Sequence, residues 1–190
     1  MRLALTALAI LGVCALAACS PSAPVAHHDE TAHGCIANAE ARWTRPGAPV
    51  LDASASTIGP DCEHAVATLV VRDPAGVTVY TEAFPAEHVM VLSEAHDADA
   101  MQGSLVHWLD QSNATMKSTG DLPAWARDAE NPTSGEFPFM PEQSIDRTAY
   151  ATLRTHPEPM YCFVQGMESQ ACLVWRNNEL DKIGVQTFPG

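Results

Sequence analysis

Basic residues are scarce in this 190-residue chain: Lys and Arg number 10 against 23 Asp and Glu, for a formal net charge of −13 at pH 7. That imbalance makes nucleic acid and anionic lipid poor partners and favours a basic one. Catalytic signatures are missing too: no G-x-S-x-G, S-x-x-K or H-E-x-x-H stretch occurs, and no motif implies a cofactor. There is no C-x-x-C, which argues against a redox dithiol. No apolar run reaches the roughly 20 residues that a stable membrane-spanning helix needs. No internal repeat is visible.

What is present begins at the N-terminus. Arg2, the apolar stretch from Leu3 to Leu16 and the small pair Ala17-Ala18 have the three-part layout of an export signal over residues 1–18. Cys19 follows at once, and Leu16-Ala17-Ala18-Cys19 resembles the lipobox of bacterial lipoproteins: a bulky aliphatic residue, two small ones, then the cysteine that becomes the acylated first residue. The resemblance implies a lipidated Cys19. Because Ser20 rather than Asp comes next, it also implies sorting to the bacterial outer membrane, with the protein on the periplasmic side. At about 0.8 kcal/mol per buried CH2, two or three acyl chains anchor firmly, so membrane contact runs through the lipid. The alternative is an ordinary secretory leader cut after Ala18. Residues 19–33 are rich in Pro, Ala, Ser and His without apolar periodicity and read as a flexible tether. Residues 34–190 then read as one domain, long enough for a sizeable core.

Cys14 leaves with the leader and Cys19 carries lipid, so Cys35, Cys62, Cys162 and Cys172 remain. An even set in an oxidising compartment predicts two disulfides. Of three possible connectivities, the strand pattern selects one. Tyr161 to Gln165 and Ala171 to Arg176 read as strands around Gly166-Met167-Glu168, a hairpin that sets Cys162 opposite Cys172, Tyr161 opposite Leu173 and Phe163 opposite Ala171. Cys35 then pairs with Cys62. On the chain-entropy argument, loops of about 11 and about 28 residues are worth roughly 3 and 3.6 kcal/mol.

The rest of the pattern predicts an α+β fold: a single antiparallel sheet of about five to six strands, two helices and a C-terminal β-meander. Residues 36–60 are Ala, Ser and Pro rich, with one short strand over Val50 to Ile58. Ala65 to Arg72 and Val77 to Phe84 flank the turn Asp73-Pro74-Ala75-Gly76 as a hairpin. Asp97 caps a helix through Gln111 with Met101, Leu105, Trp108 and Leu109 on one stripe. Ser112 to Gln143 reads as a long ordered loop, and Ile145 to Thr155 as a second helix with Tyr150 and Leu153 on one face, ended by His156-Pro157. The last three strands carry apolar residues on both faces, which predicts that they are central.

Candidate chemistry is thin. His27, His28 and His33, with Asp29, Glu30 and Cys35, form the densest set of metal-ligand types, suited to weak Zn, Cu or Ni binding from a tether. Glu94, His96, Asp97 and Asp99 form a second group, which helix capping explains without a metal. Trp125, Phe137 and Phe139 are isolated aromatics in a Pro-rich loop, placed either as interaction anchors or as core. In charge and address the chain is similar to acidic lipoproteins that inhibit basic lysozymes or give immunity against periplasmic effectors. Inhibitors of animal-type lysozymes carry S-G-x-x-Y in a loop; Ser134-Gly135 matches its start, and Pro138 stands where Tyr is required. The sequence therefore points to a lipid-anchored, non-enzymatic interaction module with a basic protein partner, then to a hydrolase inhibitor, then to weak metal binding.

Overall fold

Small inward-facing residues set the shape of the first sheet. In the computed structural model, which describes residues 34–188, β1 (Ala37–Trp43), β2 (Leu51–Ile58), β3 (Val66–Arg72) and β4 (Thr78–Pro85) form an antiparallel sheet in sequence order. Ala37, Ala39, Ala53, Ala55 and Ala67 are all buried on its inner face. Their short side chains let helix α1 (Ala98–Leu109) pack onto β1 and β2. The Asp97 side chain accepts from the Ala100 N–H at 2.8 Å to start that helix, and Met101, Leu105, Trp108 and Leu109 are its buried stripe, as the spacing predicts. The β3–β4 turn closes on Asp73, whose carboxylate accepts from Ala75 and Val77 N–H, with Gly76 at φ +81°.

The second sheet comes from the C-terminal half. β5 (Thr133–Ser134), β6 (Phe137–Pro141), β7 (Met160–Val164), β8 (Ser169–Arg176) and β9 (Glu179–Thr187) run antiparallel in the order β5-β6-β9-β8-β7, with helix α2 (Arg147–Thr155) between β6 and β7 in the chain. The predicted hairpin register holds residue for residue: Cys162 faces Cys172, Tyr161 faces Leu173 and Phe163 faces Ala171. Both predicted cysteine pairs are bridged, with Cα–Cα separations of 4.8 Å for Cys35–Cys62 and 4.1 Å for Cys162–Cys172. Asn177 and Asn178, at φ 53° and 63°, make the tight β8–β9 turn that such a two-residue hairpin favours.

Three expectations need correction. The α+β class stands, but the single sheet is two sheets of four and five strands. β1 is what the sequence reading missed, because alanine is a weak strand signal even when it alternates cleanly with polar residues. The stretch 112–143 is not all loop: β6 pairs with β9, setting Phe139 opposite Gln186 and Met140 opposite Val185. Gly184 permits that pairing, since a Cβ there would lie 2.5 Å from the Met140 carbonyl and 2.6 Å from the Phe139 ring. Finally, β7 is an edge strand rather than a central one. Its two faces are apolar because it lies between two cores, not between two strands.

Those cores lie on opposite faces of the second sheet. On one face Tyr161, Phe163, Ala171, Leu173 and Leu180 join sheet one and α1; on the other Met160, Cys162, Cys172, Val174 and Ile183 join α2 and the segment around Met116 and Leu122. The edge of β7 is closed by side chains. Arg45 Nε donates to the Met160 carbonyl (3.1 Å), Gln111 Nε2 to Cys162 (2.9 Å) and Trp108 Nε1 to Val164 (2.6 Å). An otherwise open strand edge, which invites pairing with other chains, is thereby occupied.

Candidate functional site

Charge distribution is the first functional feature. Three of the described cations are engaged on backbone carbonyls: besides Arg45, Arg147 donates to the Ala126 and Ala129 carbonyls and Arg154 to that of Leu122. Among the described residues, ion pairs with Lys or Arg reach Asp52, Asp181 and Glu82. Glu63, Glu87, Glu94, Asp99 and Glu136 stay exposed to water with no Lys or Arg bridge.

The predicted aromatic anchors are mostly engaged within the molecule. Phe139 is fully buried against Tyr150 at 6.0 Å, so its ring is core and offers nothing to a partner. Trp125 is half-buried; its indole donates to the Ala129 carbonyl, Tyr150 meets it edge-on at 5.3 Å and the Arg147 guanidinium lies 4.5 Å from its ring centroid. Phe137 is half-buried against Phe188 at 5.5 Å. Ser134-Gly135 form part of the tight turn between β5 and β6, with Gly135 at φ 62°. Cys19, His27, His28 and His33 lie outside the described residues. Among the described residues no three His, Cys, Asp or Glu side chains gather as a metal-holding set.

A half-buried polar group joins the two sheets. The Tyr80 hydroxyl donates to Glu82, and Lys182 lies 4.0 Å from Glu82 while donating to Gln165 at 2.9 Å. Burial and then the Glu82 bond push the Tyr80 hydroxyl up, so it stays protonated. Tyr161 is likewise pushed up by burial, to about 12. Tyr80, Glu82, Lys182 and Gln165 satisfy one another and read as a joint between sheets, whereas the buried Tyr161 hydroxyl has no hydrogen-bond partner.

One concavity runs beside α2. It is a groove of about 640 Å³ lined by Asp146, Thr148, Thr152, His156, Glu158 and Arg176, over an apolar floor of Ile145 and Leu153. Asp146 is the α2 N-cap, accepting from Ala149 N–H at 2.8 Å. Glu158 stands between Pro157 and Pro159, and prolines fix the backbone on either side of it. Thr119 locks it further: Glu158 N–H donates to Thr119 Oγ1 at 2.9 Å, and Thr119 N–H donates to the Glu158 carbonyl at 3.0 Å. One carboxylate oxygen, Oε2, is sealed from solvent without a hydrogen-bond partner. The chain matches no protein-family model, no curated protein and no solved structure.

A second concavity, about 530 Å³ on the outer face of sheet one, is electrically balanced by comparison. Arg42 lies 3.9 Å from Asp52, and Arg72 donates to Ser54. In the sequence, His156-Pro157 marks only the end of a helix. The Pro-Glu-Pro run was the available signal for the α2 groove, but nothing in the sequence placed that run beside the helix.

Proposed function

We propose that the chain is a lipid-anchored envelope protein whose folded part is a non-enzymatic binding module for a basic protein partner. Acylated Cys19 holds it on the periplasmic side of the bacterial outer membrane, and residues 19–33 give it reach. The lipobox-like Leu16-Ala17-Ala18-Cys19 supports the anchor, and two disulfides suit an oxidising compartment. One observation carries the binding reading: Arg45, Arg147 and Arg154 are engaged on the chain's own backbone carbonyls, while Glu63, Glu87, Glu94, Asp99 and Glu136 face water with no Lys or Arg bridge. A surface so biased attracts cationic partners over a distance and speeds encounter at low salt.

Two experiments test this. Growth with radiolabelled palmitate is expected to label the wild-type chain and not Cys19→Ala; equal labelling would remove the anchor. Titration of the purified chain against basic proteins is expected to show binding that weakens steeply as salt rises, and no binding at low ionic strength would remove the module reading. The rival, inhibition of a basic hydrolase, rests on the same acidity. A cell-wall lysis assay against a panel of lysozymes separates the two: protection supports inhibition, and none at stoichiometric excess retires it.

A further inference from the structure

We propose that one end of sheet one rests on the phospholipid surface beside the acyl anchor, through an apolar row of Ile36, Ile58, Val66 and Pro85. The proposal rests on the reading of Cys19 as lipidated and adds a second, protein-borne contact to it. Strand register builds the row. Ile58 faces Val66 and Val66 faces Pro85, while the bond from the Cys35 N–H to the Gly59 carbonyl (2.9 Å) continues the β1–β2 register and sets Ile36 beside Ile58. All four project outward, because the residues that alternate with them, Ala37, Thr57, Ala67 and Phe84, are buried inward. Ile36 is 68% exposed, Ile58 69% and Val66 44%, and Pro85 is exposed beside them. The same face turns polar with distance from the row. Asn38, Ser56 and Thr68 come next, and Arg42, Asp52 and Arg72 stand at the far end. A face graded from apolar to charged suits the boundary between lipid and water.

The place where the chain enters the fold selects the occupant. Gly34 lies two positions before Ile36, and the Cys35–Cys62 bridge ties this entry to the loop that joins Ile58 to Val66. The stretch from Cys19 to Gly34 spans at most about 50 Å even when fully extended, so an acylated Cys19 holds the row, rather than the charged far end, nearest the bilayer. A tether of that kind makes docking intramolecular, and a small apolar patch then suffices. A second copy of the chain is a poorer occupant. Four side chains fall well short of the roughly 800 Å² that each partner contributes to a stable protein interface. The rim of the row selects among lipids. The loop after Ile58 carries Asp61, Glu63 and His64, and Glu87 follows Pro85; the pKa of His64 is raised first by its bond to Asp61 and then also by the charges of Glu63 and Glu87, so these groups lie together. Carboxylates at that rim favour headgroups that carry an ammonium, such as ethanolamine, over anionic ones.

The test uses the acylated full chain, 15N-labelled, in nanodiscs of phosphatidylethanolamine and phosphatidylcholine doped with a lipid that carries gadolinium on its headgroup. Relaxation enhancement is expected to be at least about threefold stronger at amides 36, 58 and 66 than at amides 42, 52 and 72. Ile36→Ser combined with Ile58→Ser is expected to erase that contrast, and Ile36→Leu combined with Ile58→Leu to keep it. Unchanged thermal melting shows that both variants are folded. Phosphatidylglycerol in place of phosphatidylcholine is expected to weaken the contrast. Even enhancement at both ends of the sheet, a contrast that survives in the serine variant, a stronger contrast on phosphatidylglycerol, or a dimer in detergent that the serine variant dissolves would each overturn the proposal. A chain whose Cys19 carries no acyl group by mass spectrometry would overturn the anchor reading and this one with it, whereas an acylated chain without the contrast would overturn this one alone.

Discussion

The two cores of the molecule face opposite sides of one sheet and are built differently. The first, between sheet one, α1 and sheet two, is aromatic and sealed: Phe163 is met by Trp43, Tyr80, Phe84 and Trp108 within 6.5 Å, and the Trp43 indole donates to the Leu109 carbonyl at 2.9 Å. The second, under α2, is smaller, contains the Cys162–Cys172 bridge and is strapped by polar side chains. Arg147, Arg154 and the Tyr150 hydroxyl all donate to carbonyls of the 122–129 segment. The difference separates tasks. Tight aromatic packing fixes the relation of the sheets, while the helix-covered side leaves a groove along α2.

The largest expected effect falls in the sealed core. Trp43→Ala removes a fully buried indole that also stacks on Tyr161 at 5.5 Å, and is expected to cost about 3–5 kcal/mol in urea unfolding. A loss under about 1 kcal/mol would break the claim that this core carries the fold. On the other side, Phe139→Ala is expected to cost about 3 kcal/mol or more, while Phe137→Ala, half-exposed on the same strand, stays near or below 1 kcal/mol. Similar losses for both would show that β6 is not oriented as described.

Replacing both Cys162 and Cys172 with Ala is expected to cost about 3 kcal/mol, since the bridge closes a short loop within an already paired hairpin. A smaller effect concerns Asp121, whose carboxylate accepts from Lys117 and Ser118 N–H at 2.9 Å and is held below the usual carboxylate range chiefly by the Lys117 bond. Its ionised form is favoured in the folded state, so its contribution is complete above the ordinary carboxylate pKa of about 4 and disappears as pH falls through the folded value. Asp121→Asn is expected to cost about 1 kcal/mol at neutral pH and to flatten the acid limb of the stability profile. The smallest effect has the opposite sign. Gly103 lies inside α1 where an added Cβ meets nothing within 4 Å, so Gly103→Ala is expected to stabilise by up to about 1 kcal/mol.

The same contrast explains what could be read from residue order. Periodicity and turn chemistry are local, and they placed α1 with its Asp97 cap, the β3–β4 hairpin, and the Cys162–Cys172 register that in turn paired Cys35 with Cys62. β1 escaped because its inward positions are alanines chosen by the helix that lies on them, which is a tertiary reason. Residue order leaves Phe139 as either an interaction anchor or core, because Pro138 and Pro141 suggest a loop, and its burial decides for core. Its burial depends on β9, more than 40 residues away, and on the missing side chain at Gly184. Glu158 was unremarked for a similar reason: a single carboxylate becomes distinctive only when the fold removes its water and supplies no donor.

The most direct test of this division of tasks is an amide shift map of the 15N-labelled full chain in detergent, titrated at low salt with a basic lysozyme. Changes concentrated around Glu63, Glu87, Glu94, Asp99 and Glu136, with the sealed core silent, are the predicted result. Changes confined to the sealed core, or no change at all, would contradict the account.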